Sequence, residues 1–247
     1  MNISLKNKIV LITGASRGIG AMLAKNFAEE QAIVIMNYFN SEQEAYAVYN
    51  EIIKKSPRSL IFKADVSNPE DVKLMYQRVS VFFDHIDVLI NNAAICEDKL
   101  MNLLKYSEWI KVINTNLTSI FLCSKYFTKG MIKNKSGKII NISSLQGQRG
   151  NKGQSAYTSS KAGIIGLTKT LAMEMGKFNI AVNAICPGFI PTNEKRRNKK
   201  KIEISIQKSV LSMYEARNDL VNFIIYLSSD KCNGISGQVF NLDSRIL

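Results

Sequence analysis

Short apolar runs alternate along this chain with longer stretches in which apolar residues recur every three or four positions. The runs cover residues 8–13, 32–38, 59–63, 86–91, 138–142, 180–185 and 238–242. Segments such as IVLI and DVLI are nearly continuous in apolar character, the pattern of strands buried on both faces. Helical spacing marks 20–31, 41–55, 69–83, 106–133, 155–177 and 218–228. Strand, helix, strand repeated in this way predicts an α/β fold: a doubly wound parallel sheet of about seven strands with helices on both faces. No low-complexity linker, internal repeat or break in composition divides the chain, so residues 1–247 are expected to form a single domain.

Composition narrows the class of protein. Apolar residues make up 46% of the 247, enough for one sizeable core. Cys96, Cys123, Cys186 and Cys232 are scattered, with no C-x-x-C pair and no His cluster, so neither a metal site nor a disulfide framework is expected. The N-terminus runs almost directly into the first strand without a signal-peptide pattern, and no apolar run reaches membrane-spanning length. A soluble cytoplasmic protein is expected. The formal charge of +13 opens three readings: nucleic acid, an anionic surface or acidic ligands. Its densest cluster is Lys195, Arg196, Arg197, Lys199, Lys200 and Lys201, with no aromatic residues interleaved as stacking platforms for bases. Compositional bias alone is a further reading of so many lysines.

The first run ends in Thr13-Gly14-Ala15-Ser16-Arg17-Gly18-Ile19-Gly20, and a helix begins at once. Gly14 permits a tight turn, Gly18 lets backbone approach a pyrophosphate, and Gly20 lets the helix pack closely on the strand. The helix N-terminus adds N–H groups and the positive end of a dipole. An ordinary glycine-rich turn is the bland alternative, and position at the first strand–helix junction argues against it. This T-G-x-x-x-G-x-G spacing resembles the short-chain dehydrogenase/reductase family, and further motifs of that family follow in order. Asp65-Val66 follows the third run, Asn91-Asn92-Ala93-Ala94 closes the fourth, and Asn116 sits in N-T-N-L. Ser144 follows the fifth run, Tyr157-Thr158-Ser159-Ser160-Lys161 matches Y-x-x-x-K, and Pro187-Gly188 follows the sixth, with Thr192 four residues later. The resemblance spans about residues 5–243 and implies a Rossmann-like fold.

It also implies roles. The cofactor would contact Gly14, Ser16, Arg17, Gly18, Ile19, Gly20, Asn37, Ser41, Asp65, Val66, Asn92, Ala93, Ala94, Tyr157, Lys161, Pro187, Gly188, Ile190 and Thr192. Enzymes specific for NAD place a carboxylate after the second strand. Here Asn37-Tyr38-Phe39-Asn40-Ser41 stands there, with no carboxylate before Glu42. Arg17 can pair with a 2′-phosphate and Ser41 can add a hydroxyl, so NADP(H) is the expected cofactor. The catalytic set implied is Asn116, Ser144, Tyr157 and Lys161. Lys161 lies four residues after Tyr157, hence on the same helical face, and its charge favours the phenolate. Ser144 would hold the substrate carbonyl, with Ser143 as the neighbouring competitor. Asn116 would hold a water linking Lys161 to solvent.

The stretch Ile95-Cys96-Glu97-Asp98-Lys99-Leu100-Met101-Asn102-Leu103-Leu104, then Ser107-Glu108-Trp109, looks like the 3-oxoacyl-[acyl-carrier-protein] reductases. NADPH-dependent reduction of a 3-oxoacyl thioester, with a homotetramer or homodimer, is what that resemblance implies. Lys129, Lys133, Lys135 and Lys177 would then steer an acidic acyl carrier protein, or simply form a solvated helix face. The chain departs from the pattern at Glu97, Ala94, Asn193, the 195–201 run, 210–218 and the tail Asp243-Ser244-Arg245. The region 191–215 is expected to be a variable basic substrate lid. Two other readings stand beside this one. A reductase of a free ketone, sugar or secondary-metabolite intermediate shares fold and catalytic group. A nucleotide- or nucleic-acid-binding protein would not need the whole catalytic set, and ranks well below catalysis. His85 and Trp109 read as structural.

Overall fold

The structure is a computed structural model and describes residues 3–190, 203, 207–211 and 215–244. Thr192, Asn193, the 195–201 run and most of the expected lid lie outside these residues.

Strands β1 (Ile9–Ile12), β2 (Ile33–Tyr38), β3 (Leu60–Lys63), β4 (Val88–Asn91), β5 (Gly137–Ile142), β6 (Ile180–Pro187) and β7 (Val239–Leu242) form one sheet. Their order is β3-β2-β1-β4-β5-β6-β7, and every neighbouring pair is parallel. Helices α1 (Gly18–Glu29), α2 (Glu42–Ile52), α3 (Pro69–Phe82), α4 (Tyr106–Ile113), α5 (Ser119–Asn134), α6 (Gln146–Arg149), α7 (Ser155–Met175) and α8 (Glu215–Ser228) lie between the strands in sequence. The apolar runs are continuous because both faces are covered. Val10, Ile12, Val34 and Met36 pack into one core with Phe27 of α1 and Leu220 and Ile224 of α8. The alternate residues Leu11, Ile33 and Ile35 join Met75 of α3 and Phe127 and Met131 of α5 on the other face.

One helix predicted from periodicity is broken. The stretch expected to be continuous over 106–133 is α4, a π-helical turn at Asn114–Thr118, and α5. The wider turn carries Asn116, whose side chain reaches backbone outside the helix. Periodicity cannot register this, because the apolar face resumes on the far side. Elsewhere the expected elements differ from those observed at their ends, as at α1, which starts at Gly18 rather than Gly20.

Sequential winding from β1 to β3 runs one way along the sheet, and the crossover to β4 returns to the other side of β1. The switch point therefore lies between β1 and β4, where doubly wound sheets open a crevice at the strand C-termini. Thr13 locks this point. Its Oγ1 accepts the N–H groups of Asn92 (2.9 Å) and Ala93 (3.0 Å), while Asn92 Nδ2 donates to the carbonyls of Thr13 and Gly14. Gly14 has φ +63°, and a Cβ there would stand 2.8 Å from the Ala93 Cα, so the turn closes against β4 only with glycine. Replacing Thr13 with valine keeps the shape and orphans two N–H groups. The expected outcome is a loss on the order of 2–4 kcal/mol in urea unfolding with the m value unchanged. A loss below about 0.5 kcal/mol would mean that the hydroxyl does not hold the switch point.

Candidate active site

The glycine-rich turn leaves β1 at the switch point and enters α1 with Arg17 as its N-cap. Gly14 and Gly18 both adopt positive φ, +63° and +60°. A Cβ at Gly20 would stand 2.3 Å from the Gly14 carbonyl oxygen, so helix and turn meet backbone to backbone. No acidic residue occupies the first turn of α1, and no side chain caps it. These are properties that a pyrophosphate requires: close backbone, N–H groups facing outward and no competing carboxylate. Ser16 and Ile19 line the same turn half-buried, and Arg17 is exposed. The residues present therefore fit a dinucleotide.

The neighbouring strand ends complete the crevice. After β4, Asn92 and Ala93 are tied to Thr13, and Ala94 is exposed. After β6, the Gly188 N–H donates to the Leu242 carbonyl (2.8 Å), and a Cβ at Gly188 would stand 2.3 Å from the Asp243 carboxylate. Pro187 ends β6 in register with Leu242, and Ile190 is buried. Asp65 follows β3, where its Oδ1 accepts the N–H and hydroxyl of Ser67, and Val66 is buried. Asn37 is turned inward. Its Oδ1 accepts the Gly14 N–H (3.3 Å) and its Nδ2 donates to the Ala64 carbonyl (2.9 Å), bracing the turn against β2 and β3. Ser41 is half-buried at the N-cap of α2.

Across the crevice, α7 presents Tyr157 and Lys161 on one face. Lys161 is only 2% exposed, and its Nζ donates to the Ile142 carbonyl at the end of β5 (2.7 Å). The same Nζ stands 5.6 Å from the Tyr157 ring centroid. Burial pushes the Lys161 ammonium down to about 8, against an opposite pull from the nearby thiols of Cys186 and Cys96. Ser143 is buried with its hydroxyl donating to the Lys161 carbonyl (2.7 Å), whereas Ser144 is half-buried and its Oγ accepts the Gln146 N–H. The two serines thus differ in environment: one braces α7 and the other borders the crevice. Gly147 lets α6 sit against α7, since a Cβ there would stand 2.7 Å from the Lys161 carbonyl carbon.

Asn116 is fully buried and joins three elements. Its Oδ1 accepts the Ile95 N–H (2.8 Å), and its Nδ2 donates to the Ile95 carbonyl and to Ser160 Oγ (both 3.0 Å). Ser160 in turn donates to the Tyr157 carbonyl (2.6 Å). The sequence pattern gave Ser160 and Thr13 no role. Thr13 opens the glycine motif and was open to discovery there, but nothing local marks Ser160, whose partner lies 44 residues away. Gln154 was also missed. Its Nε2 donates to Asp98 (2.6 Å) and Cys96, tying the loop after β4 to the start of α7.

A parallel sheet with its glycine turn at the switch point and a buried Lys beside a Tyr at the strand C-termini defines a doubly wound dinucleotide-binding oxidoreductase. The sequence profile of the short chain dehydrogenases matches residues 8–203. Among similar proteins is the 3-oxoacyl-[acyl-carrier-protein] reductase FabG of Staphylococcus epidermidis, 40% identical across 96% of this chain and 98% of that one. FabG of Staphylococcus aureus is also 40% identical, across 96% of each chain. So is the 3-oxoacyl-[acyl-carrier-protein] reductase of a Synechocystis species, across 99% of this chain and 98% of that one. The chain belongs to the short-chain dehydrogenase/reductase family: it is an oxidoreductase acting on a carbonyl or hydroxyl group with a nicotinamide cofactor. Among the described residues no helix is long and apolar enough to cross a membrane, and no cluster of potential metal ligands occurs.

The burial of Lys161 has a sign that can be checked. Its proton is held more weakly in the folded chain than in the unfolded one, so the cost is full below pH 8 and relieved as pH rises from about 8 to 10.5. Against Lys161→Met, the wild type should therefore gain on the order of 3 kcal/mol over that window. The loss of the bond to Ile142 adds a pH-independent offset, so the slope of the difference is the quantity to measure, by denaturant unfolding at each pH. A flat difference would place the ammonium in water.

Proposed function

We propose that this chain is an NADPH-dependent reductase that converts a 3-oxoacyl thioester, on acyl carrier protein or coenzyme A, to the 3-hydroxyacyl form, with Tyr157 as proton donor. The observation that carries the reading is the buried Lys161 ammonium held beside the Tyr157 ring at the strand C-termini. The relatives' names supply the substrate class. NADP(H), when bound, supplies the hydride. The turn from Gly14 to Gly20 holds its pyrophosphate, with Asn92, Ala93 and Ala94 walling the crevice. Asp65 and Val66 take the adenine end, and Pro187, Gly188, Ile190 and Thr192 the nicotinamide end. Arg17 and Ser41 favour the 2′-phosphate, and Asn37 acts by shaping the turn. In the same reading the chain is a single NADP(H)-binding domain.

Positive charge on Nζ stabilises negative charge on Tyr157 Oη, which lets the phenol release a proton to the substrate oxygen. Ser144 donates a hydrogen bond to that oxygen, Ser143 being engaged with α7. Asn116 and Ser160 fix the turn of helix that carries Tyr157, and Asn116 serves the relay that returns a proton to Lys161.

Lys129 suits an acidic carrier. It is exposed, and its Nζ rests 5.0 Å from the Tyr126 ring centroid and 5.6 Å from that of Tyr76, which limits where the charge can go. Lys133, Lys135 and Lys177 are exposed on the same kind of surface.

Purified protein is expected to consume NADPH with a 3-oxoacyl thioester, and NADH only slowly. Tyr157→Phe should lower kcat by about 10²–10⁴ while NADPH binding, read by fluorescence, stays within about twofold. Turnover confined to free ketones would move the substrate class to the alternative reading, and equal use of NADH would remove the cofactor assignment. Lys129→Glu should raise KM for the carrier-bound substrate but not for the coenzyme A thioester, with the difference vanishing at high salt. An equal effect on both substrates would count against carrier steering.

A further inference from the structure

The first carboxylate after β2 is Glu42, the residue that opens α2 beside Ser41. In a doubly wound sheet an acidic side chain at the end of the second strand selects the ribose hydroxyls of NAD and repels the 2′-phosphate of NADP, and Glu42 stands four residues past that end. A free carboxylate at Glu42 would therefore oppose the cofactor assigned above. It is not free: Lys63 Nζ lies 3.1 Å from Glu42 Oε2. Lys63 is the last residue of β3 and is in register with Tyr38, the last residue of β2. The ammonium thus comes from the neighbouring strand end and meets the carboxylate at the start of α2. Tyr38, buried between them, feels both charges: burial chiefly raises its phenol, Glu42 pushes the same way, and Lys63 pulls it back. The Lys63 amine is raised above its ordinary value, chiefly by its hydrogen bond to Glu42.

We propose that the Glu42–Lys63 ion pair sets the cofactor preference of this enzyme, Lys63 masking the first carboxylate after β2 and lending positive potential to the 2′-phosphate. The proposal rests on the NADPH reading and deepens it. Both side chains are more than half exposed, 57% for Lys63 and 55% for Glu42, so the pair contributes little to folding and is accessible to a ligand. Its effect on a phosphate is that of exposed charges in high dielectric, modest and screened by salt. Removing one partner leaves the other uncompensated, and the two single variants must then move affinity in opposite directions.

The test uses the full chain and two fragments of the cofactor, 2′,5′-ADP and 5′-AMP, titrated calorimetrically into wild type, Glu42→Gln, Lys63→Gln and the double variant. Thermal melts establish that each is folded. Lys63→Gln should weaken 2′,5′-ADP by about three- to tenfold, and Glu42→Gln should tighten it by a similar factor. The double variant should return to within about twofold of wild type, 5′-AMP should change little in any of them, and the differences should shrink with added salt. A wild type that favours 2′,5′-ADP, with single variants that bind it equally well, overturns the role of the pair and leaves the NADPH reading standing. A wild type that binds the two fragments alike overturns the NADPH reading and the inference with it.

Discussion

A positive charge kept out of water is the constraint around which the site is built. The Lys161 ammonium sits at 2% exposure with a backbone carbonyl, that of Ile142, as a partner. Burying such a group is costly, and the fold offsets that cost with hydrogen bonds and neighbouring groups rather than with a carboxylate. A carboxylate would hold the proton too firmly; burial pulls the amine down to about 8, and the nearby thiols of Cys186 and Cys96 pull it back only in part. The group is therefore a buried amine beside the Tyr157 ring whose proton is held more weakly than that of a lysine in water. Ser143, Gly147 and the end of β5 are all placed by their contact with this residue or its backbone.

The second requirement is that the two halves of the crevice stay in register. On one side Thr13 and Asn92 bind the glycine turn to β4. Below them Asn91 Nδ2 donates to Asn141 Oδ1 (2.8 Å) and Asn141 Nδ2 to Thr168 Oγ1 (2.9 Å), a buried polar ladder from β4 through β5 into α7. Apolar packing alone would tolerate a small slide of α7 over the sheet. Directional bonds in a dry interior do not, because a slide would leave their donors unpaired. The ladder connects the strand at the switch-point crevice to the helix carrying Tyr157 and Lys161.

Legibility in the sequence followed the range of the information. Both-face burial shows in the run of apolar residues itself, so all seven strands were readable, with errors confined to their ends. The glycine turn was readable because its backbone demands fall on residues within eight positions of each other. Asn116 was readable as a motif residue, but its π-helical turn was not, since the apolar periodicity is the same before and after it. The structure turns the Asn37 amide inward onto Gly14 and Ala64. Nothing in a strand of six buried residues says which polar side chain is braced within the sheet.

The sequence by itself therefore determined the order of elements, the parallel sheet, the glycine-rich turn at the first strand–helix junction and the pairing of Tyr157 with Lys161 on one helical face. All of these are set by residues within a turn or two of each other. Only the tertiary structure decided that Lys161 is dry, that Ser143 faces α7 while Ser144 borders the crevice, that Asn116 grips Ile95 and Ser160, and that Lys63 covers Glu42. Those facts join residues up to 44 positions apart, from Ser143 with Lys161 at 18 to Asn116 with Ser160 at 44. Burial and hydrogen-bond partnership are properties of the packed chain, and no local pattern encodes them until the sheet brings its strand ends together.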